Sequence, residues 1–254
     1  RQRSRFFRWN RDAPTGIPPM SQSSPHLTTS VKKTVTFESV SEHPKVLALV
    51  DGANEVMAAM GYTEHGRRHV GEVQRMTGEI LTALSFTPRE VELARIAAFL
   101  HDIGNCISRT YHPLTGANLA FTLLNEMGMD PTEIAPIIGA IGNHEEISGT
   151  PISGMSAALI IADKSDVNFR RVQNPFVESY DIHDRVNSAV KSNVLRVDAS
   201  QGTIVLELDV DTTQATMMEY FEIFLSRMVM CRLSAARLGV RFGLVVNGIH
   251  LEGN

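Results

Sequence analysis

The stretch ARIAAFLHDIGNC, residues 94–106, sets the strongest constraint on this chain, because an apolar run of helical character ends on the adjacent polar pair His101 and Asp102. A helix that merely stops there would more usually place Gly, Asn or Lys. The same construction recurs. IIGAIGNHEE ends at His144 and Glu145, AALIIADKSD ends at Asp163, and His69 falls on the apolar stripe of a helix expected over about residues 64–84, with Val73, Met76, Ile80 and Leu84. A lone buried His is more often a hydrogen-bonded core residue than a ligand. Four separate helices that each carry such a group out of an apolar run reverse that balance. An unpaired carboxylate in an apolar site costs several kcal/mol or shifts its pKa until it is neutral, and a divalent cation removes the cost. Imidazole nitrogens with carboxylate oxygens suit Mn, Fe, Zn, Co or Ni, and with only Cys106 and Cys231 there is no thiolate cluster for a structural zinc site.

The rest of the chain places these groups in a mainly α fold. Residues 1–40, with Arg1, Arg3, Arg5, Arg8 and Arg11 followed by Pro, Ser and Thr, read as a disordered leader. Ser41 is the expected cap of a first helix through Val46, Val50, Ala53 and Met57, and Thr87, Pro88 and Glu90 form a capping-box start to the helix that reaches His101. TGANLAFTLLNEMG, a run opened by Pro131 toward His144, and GMSAALIIADKSDV supply further helices. VLRVDASQGTIVLELDVD then alternates as two strands about a turn, a long amphipathic helix ends at Gly239, and VRFGLVVNG is a third strand. The expectation is a helical domain over 41–187 followed by a small ββαβ element over 188–254. That tail should carry no metal ligands, and its apolar Met217, Met218, Phe221, Phe224 and Met228 should form an association or regulatory surface, such as the seam of a homodimer, with simple packing on the helical domain as the alternative.

Composition limits the partners. A formal net charge of -4 gives no basic excess for extended nucleic acid, which favours a small-molecule partner. The apolar runs are far shorter than the ~20 residues of a membrane span. Two cysteines form no disulfide framework, so a reducing cytoplasm is the expected compartment. HGRRH sets His65 and His69 four residues apart but lacks the Glu of a zinc protease motif, and no Gly-rich phosphate loop is visible.

The ordered array His69, His101-Asp102, His144, Asp163 resembles the H…HD…H…D pattern of the HD-domain metal-dependent phosphohydrolase superfamily, with LHDIG its most recognisable piece, over about residues 60–170. The resemblance implies an HD-type helical bundle in which His69, His101, Asp102 and Asp163 bind a metal. YHPLTGANL and NHEE resemble segments of two-metal members, which implies a second ion on His112 and His144 with Asp102 bridging. Asn105 stands where HDIGK has its lysine, Asn143 where HHE has its first histidine, and ISGTP where the HD-GYP branch has its signature, so cyclic di-GMP hydrolysis is not implied.

These features lead to an expected phosphohydrolase acting on a nucleotide or another small phosphate ester through a metal-activated water, with Asp102 as ligand and orienter. Lys164, Arg170 and Arg171 follow the last proposed ligand and are the candidates for contacting the substrate phosphate, Lys164 also in a catalytic role. Two alternatives share the same ligand set: a mixed-valence di-iron oxygenase of the superfamily, and a catalytically silent nucleotide-binding regulator.

Overall fold

The computed structural model describes residues 34–251. The expected leader therefore lies outside the described residues, except for its last part. Thr36 there opens α1 (Phe37–Ser41) with a reciprocal cap to Ser39. Val35, Phe37 and Val40 are buried, and Phe37 meets Phe99 edge-on at 5.8 Å. A five-residue helix is too short to display a period, which is why the sequence pattern concealed it. Ser41 ends α1, and the N-cap of α2 (Pro44–Ala59) is His43, whose Nδ1 accepts from the Lys45 amide at 3.3 Å.

The bundle continues with α3 (Arg67–Ala83), α4 (Pro88–Leu100), α5 (His112–Glu126), α6 (Pro131–Gly142), α7 (Gly154–Ser165) and α8 (Ile182–Ala189). The expected box at α4 is present, with Thr87 Oγ1 accepting from the Glu90 amide at 3.3 Å and Glu90 Oε2 accepting from the Thr87 amide at 2.9 Å. α4 is buried on almost every side, and α3, α6 and α7 all pack on it. Such a central helix has few polar positions, so the polar pair at its end has to be used internally.

Just past that end, Gly104 lets the chain press against the start of α5. A Cβ there would lie 2.1 Å from His112 O and 2.5 Å from Gly116 N. The close approach, rather than an unusual φ, requires glycine, and it fixes His101 and Asp102 against His112.

The C-terminal part has β1 (Val190–Asp198), β2 (Thr203–Val210), α9 (Met217–Arg237), β3 (Arg241–Val246) and β4 (Ile249–Leu251), in sheet order β1-β2-β3-β4. β1 and β2 are antiparallel, β2 and β3 parallel with α9 as the crossover, and β3 and β4 antiparallel. The element is thus ββαββ rather than ββαβ. The additional strand follows a turn at Asn247 and Gly248, with φ 50° and 77°, and an Asn-Gly pair between apolar strands is the strongest short hairpin signal a sequence offers. The alternate residues Ile204, Leu206 and Leu208 of β2 join Tyr220 and Phe224 of α9 in one continuous core with the helical bundle.

The apolar face expected to mediate association is largely consumed by this packing. Phe224 and Met228 are buried and Met217 and Phe221 half-buried, which leaves Met218 outside. A helix covering a sheet must turn its broadest apolar side inward.

Candidate metal centre

Among the described residues, His69 on α3, His101 and Asp102 at the end of α4, His112 at the start of α5, His144 past α6 and Asp163 on α7 converge. Helix ends do the aiming. His101 is the C-cap of α4 and still has α-helical dihedrals, φ -59° and ψ -35°, while Asp102, at φ -100° and ψ 0°, opens a 3₁₀ turn over Ile103–Cys106. Leaving the α-helix at this step brings neighbouring side chains to one spot, with His101 Nε2 3.1 Å from Asp102 Oδ2. Asn105 Nδ2 donates to Asp102 O at 3.0 Å and to Oδ1 at 2.9 Å, so it orients the carboxylate.

The two oxygens of Asp102 face different histidine pairs. Oδ2 lies 3.1 Å from His101 Nε2 and 3.5 Å from His69 Nε2, with Asp163 Oδ1 3.3 Å from His69 Nε2 and 3.7 Å from His101 Nε2. Oδ1 lies 3.5 Å from His112 Nε2 and 3.7 Å from His144 Nε2. Glu145 Oε2 closes that second half, 3.4 Å from His112 Nε2.

All four imidazoles are locked in one tautomer. Nδ1 donates to Asp166 Oδ2 at 2.7 Å in His69, to Ala98 O at 2.7 Å in His101, to Arg109 O at 2.7 Å in His112 and to Ile141 O at 2.6 Å in His144. A neutral imidazole that donates through Nδ1 presents a lone pair at Nε2. In that neutral form, which a bound cation would enforce against the carboxylates' pull toward protonation, the four imidazoles point lone pairs inward beside two carboxylates. Those of His112 and His144 face each other at 3.0 Å, and the Nε2 atoms of His69 and His101 are buried without a hydrogen bond. A cation is the group that satisfies such a set, and the donor chemistry fits a divalent transition metal.

The charge environment of the two halves differs. Burial would depress His101, but Asp102 and Asp163 outweigh it and hold its pKa up to about 10. His69 is likewise raised against burial and Arg171 by its carboxylate partners. Burial pushes His112 down to about 3 and also lowers His144, so the imidazoles of this half are neutral. Burial opposes ionisation of Asp102 and Asp163, yet the facing histidines, with Lys164 in the case of Asp163, keep both well below the ordinary carboxylate range.

The basic residues separate. Lys164 is buried with Nζ 2.8 Å from Asp163 Oδ2 and 3.2 Å from Glu146 Oε2, and these carboxylates overcome burial and raise its pKa. Arg170 is exposed, its guanidinium 5.7 Å from the Phe169 ring centroid. Arg171 departs from the expected substrate contact: it is buried, and its guanidinium donates to Glu64 O at 2.8 and 3.1 Å and to Asp166 O at 3.1 Å. Its donors are spent tying the segment after α7 to the start of α3.

Further charged groups surround the centre. Asp166 supports His69, and Arg68 grips its two oxygens at 3.2 and 2.9 Å. Glu145 adds a carboxylate, and Arg109 lies 3.8 Å from it. Glu146 joins Lys164 to Arg227 of α9, 2.9 Å away, so the C-terminal element reaches the centre through an ion-pair chain. Asp166 was detectable, since a second Asp in DKSD is hard to explain on an apolar run, whereas Arg227 carried no local signal.

Asp166→Asn should weaken metal binding about 10- to 100-fold with little change in helical content, because His69 loses the carboxylate that fixes its tautomer and raises its basicity. Metal titration of the chelated protein measures this, and wild-type affinity would dismiss Asp166 as a supporting group.

Residues 66–168 match the HD domain family. An uncharacterized protein of Methanocaldococcus jannaschii is 26% identical over 193 residues, which span 65% of this chain and 71% of that protein. A crystal structure of a predicted HD superfamily hydrolase from an uncultured Thermotogales bacterium is 27% identical, covering 49% of this chain and 67% of that chain with a TM-score of 0.40. The matched segment contains His69, His101, Asp102, His112, His144 and Asp163, so residues 66–168 are identified as an HD domain.

Proposed function

We propose that this protein is a metal-dependent phosphohydrolase acting on a nucleotide or another small phosphate ester, with two divalent transition metal ions as cofactors. The observation that carries the reading is the division of Asp102, one oxygen toward His69 and His101 and the other toward His112 and His144. Ions held in these halves would polarise a phosphoryl oxygen and lower the pKa of water from 15.7 toward ~7, which makes a side-chain nucleophile unnecessary.

The protein's own residues then have defined tasks. His69, His101 and Asp163 hold one half, and His112, His144 and Glu145 the other. Asp102 sets the spacing between them. Lys164 keeps its proton and places a positive charge 2.8 Å from Asp163, beside the position of a substrate phosphate. Arg170, exposed in the turn that follows α7, is the guanidinium left for more distant phosphates, while Arg171 is assigned a structural task. Among the described residues no helix is long and apolar enough to cross a membrane. Cys106 and Cys231 are both free thiols, which suits the reducing cytoplasm we assign to the protein.

Elemental analysis of the purified protein, coupled to a screen of nucleotides and simple phosphate esters under each metal, tests the reading. Phosphate release that disappears on chelation and returns with one of these metals is the expected result. Iron-dependent oxygen uptake without phosphate release would replace hydrolase by oxygenase chemistry. Tight nucleotide binding without turnover under every metal would make the protein a regulator.

A further inference from the structure

Helix α9 turns Tyr220, Phe224, Cys231 and Ala235 into the core but leaves a second apolar line outside. Met218, Leu225, Val229 and Leu233 are 78%, 57%, 41% and 53% exposed. Taken with the equally exposed Glu222, Arg232 and Ala236, the outer positions 218, 222, 225, 229, 232 and 236 step by four and three alternately. That is the a/d spacing of a coiled-coil seam, on a helix already packed on its other side.

The charges on this seam select its occupant. Glu222 and Arg232 make no side-chain hydrogen bond or ion pair among the described residues. In an antiparallel pair, each a position shares a layer with a d position of the other helix. A second copy of this chain would then set Leu225 beside the partner's Val229, Met218 beside the partner's Ala236, and Glu222 beside the partner's Arg232. Every layer occurs twice about the two-fold axis. A parallel pair would instead set Glu222 against the partner's Glu222 and Arg232 against the partner's Arg232, a repulsive arrangement.

Shape agrees with the same register. A cavity of about 540 Å³ opens between α9 and β3, with Arg232, Leu233, Ala236, Val240, Phe242 and His250 in its lining. It lies at the end of the seam that receives the partner's Met218, where small Ala236 leaves room for a long flexible side chain. We propose that the protein forms a two-fold homodimer through antiparallel α9 helices, with Glu222 and Arg232 pairing reciprocally across the axis. The surface is separate from the face of α9 that carries Arg227 to Glu146.

Sedimentation equilibrium of the full chain tests this. The wild-type protein is expected to be a dimer. Glu222→Arg and Arg232→Glu should each raise the dimer Kd at least about tenfold, since each converts two attractive layers into like-charge ones. The two reversals combined should return the Kd close to the wild-type value, which generic surface damage would not do. Both positions are exposed, and circular dichroism checks that each variant retains its fold. A wild-type chain that stays monomeric at its highest soluble concentration overturns the proposal. So does a dimer indifferent to the single reversals, or one that the double reversal fails to restore.

Discussion

Asp102→Ala is expected to empty both halves of the centre and to lower turnover by about three orders of magnitude or more, equivalent to roughly 4 kcal/mol of transition-state stabilisation. Among the described residues, no other carboxylate lies within ion-pair distance of both histidine pairs. Its Oδ2 is 3.1 Å from His101 Nε2 and its Oδ1 is 3.5 Å from His112 Nε2, so one substitution removes a carboxylate oxygen from each proposed ion. Asp163 and Glu145 would remain as single carboxylates for their respective halves. His101→Ala should damage chiefly the half it shares with His69. Neither variant should unfold the bundle, because the apolar residues around α4 remain packed, although buried donors and acceptors left without an ion loosen the site locally. Elemental analysis beside circular dichroism separates these effects. Wild-type metal content and turnover in the Asp102 variant would sink the proposed centre.

His112→Ala should reduce metal stoichiometry from about two toward one and cut turnover by orders of magnitude. His112 Nε2 lies 3.0 Å from His144 Nε2, 3.5 Å from Asp102 Oδ1 and 3.4 Å from Glu145 Oε2, but it does not take part in the group formed by His69, His101 and Asp163. Removing it therefore addresses one half and leaves the other intact. A single ion would still bind and activate water, while losing the second contact that stabilises the leaving oxygen of an in-line displacement. If stoichiometry were unchanged, the His112 and His144 pair would be a hydrogen-bonded edge of a mononuclear site. Comparing this variant with Asp102→Ala separates a failure of the second site from a failure of the whole centre.

The sequence by itself determined the helices and the identity of the inward-facing groups, because both follow from local rules. A 3.6-residue period with capping signals specifies α4 and α7 from within their own stretches, and a histidine or carboxylate on an apolar run must be compensated wherever it ends up. His69, His101, Asp102, His112, His144 and Asp163 were visible on that ground or through the family resemblance. Some local information was present but easily passed over, notably the Asn247-Gly248 turn that adds β4, while α1 was too short to show its period.

Only the tertiary structure decided the roles that depend on which partner lies opposite. Arg170 and Arg171 are adjacent and chemically alike, yet one is exposed and the other is buried on the carbonyls of Glu64 and Asp166, because the chain reverses after α7 and brings residues far apart in sequence into contact. Arg227 reaches Glu146 for the same reason, through the packing of α9 on α7. The outward line of α9 was hidden by a richer inward one, since an apolar period states that a face will be covered but not whether a sheet or another molecule covers it. The separation of Asp102 Oδ1 from Oδ2 between two histidine pairs is a matter of a few ångströms, and it is set by the turn at Ile103–Cys106 and the contact of Gly104 with α5. Distances on that scale come from close packing of distant segments, which residue order specifies only through the complete fold.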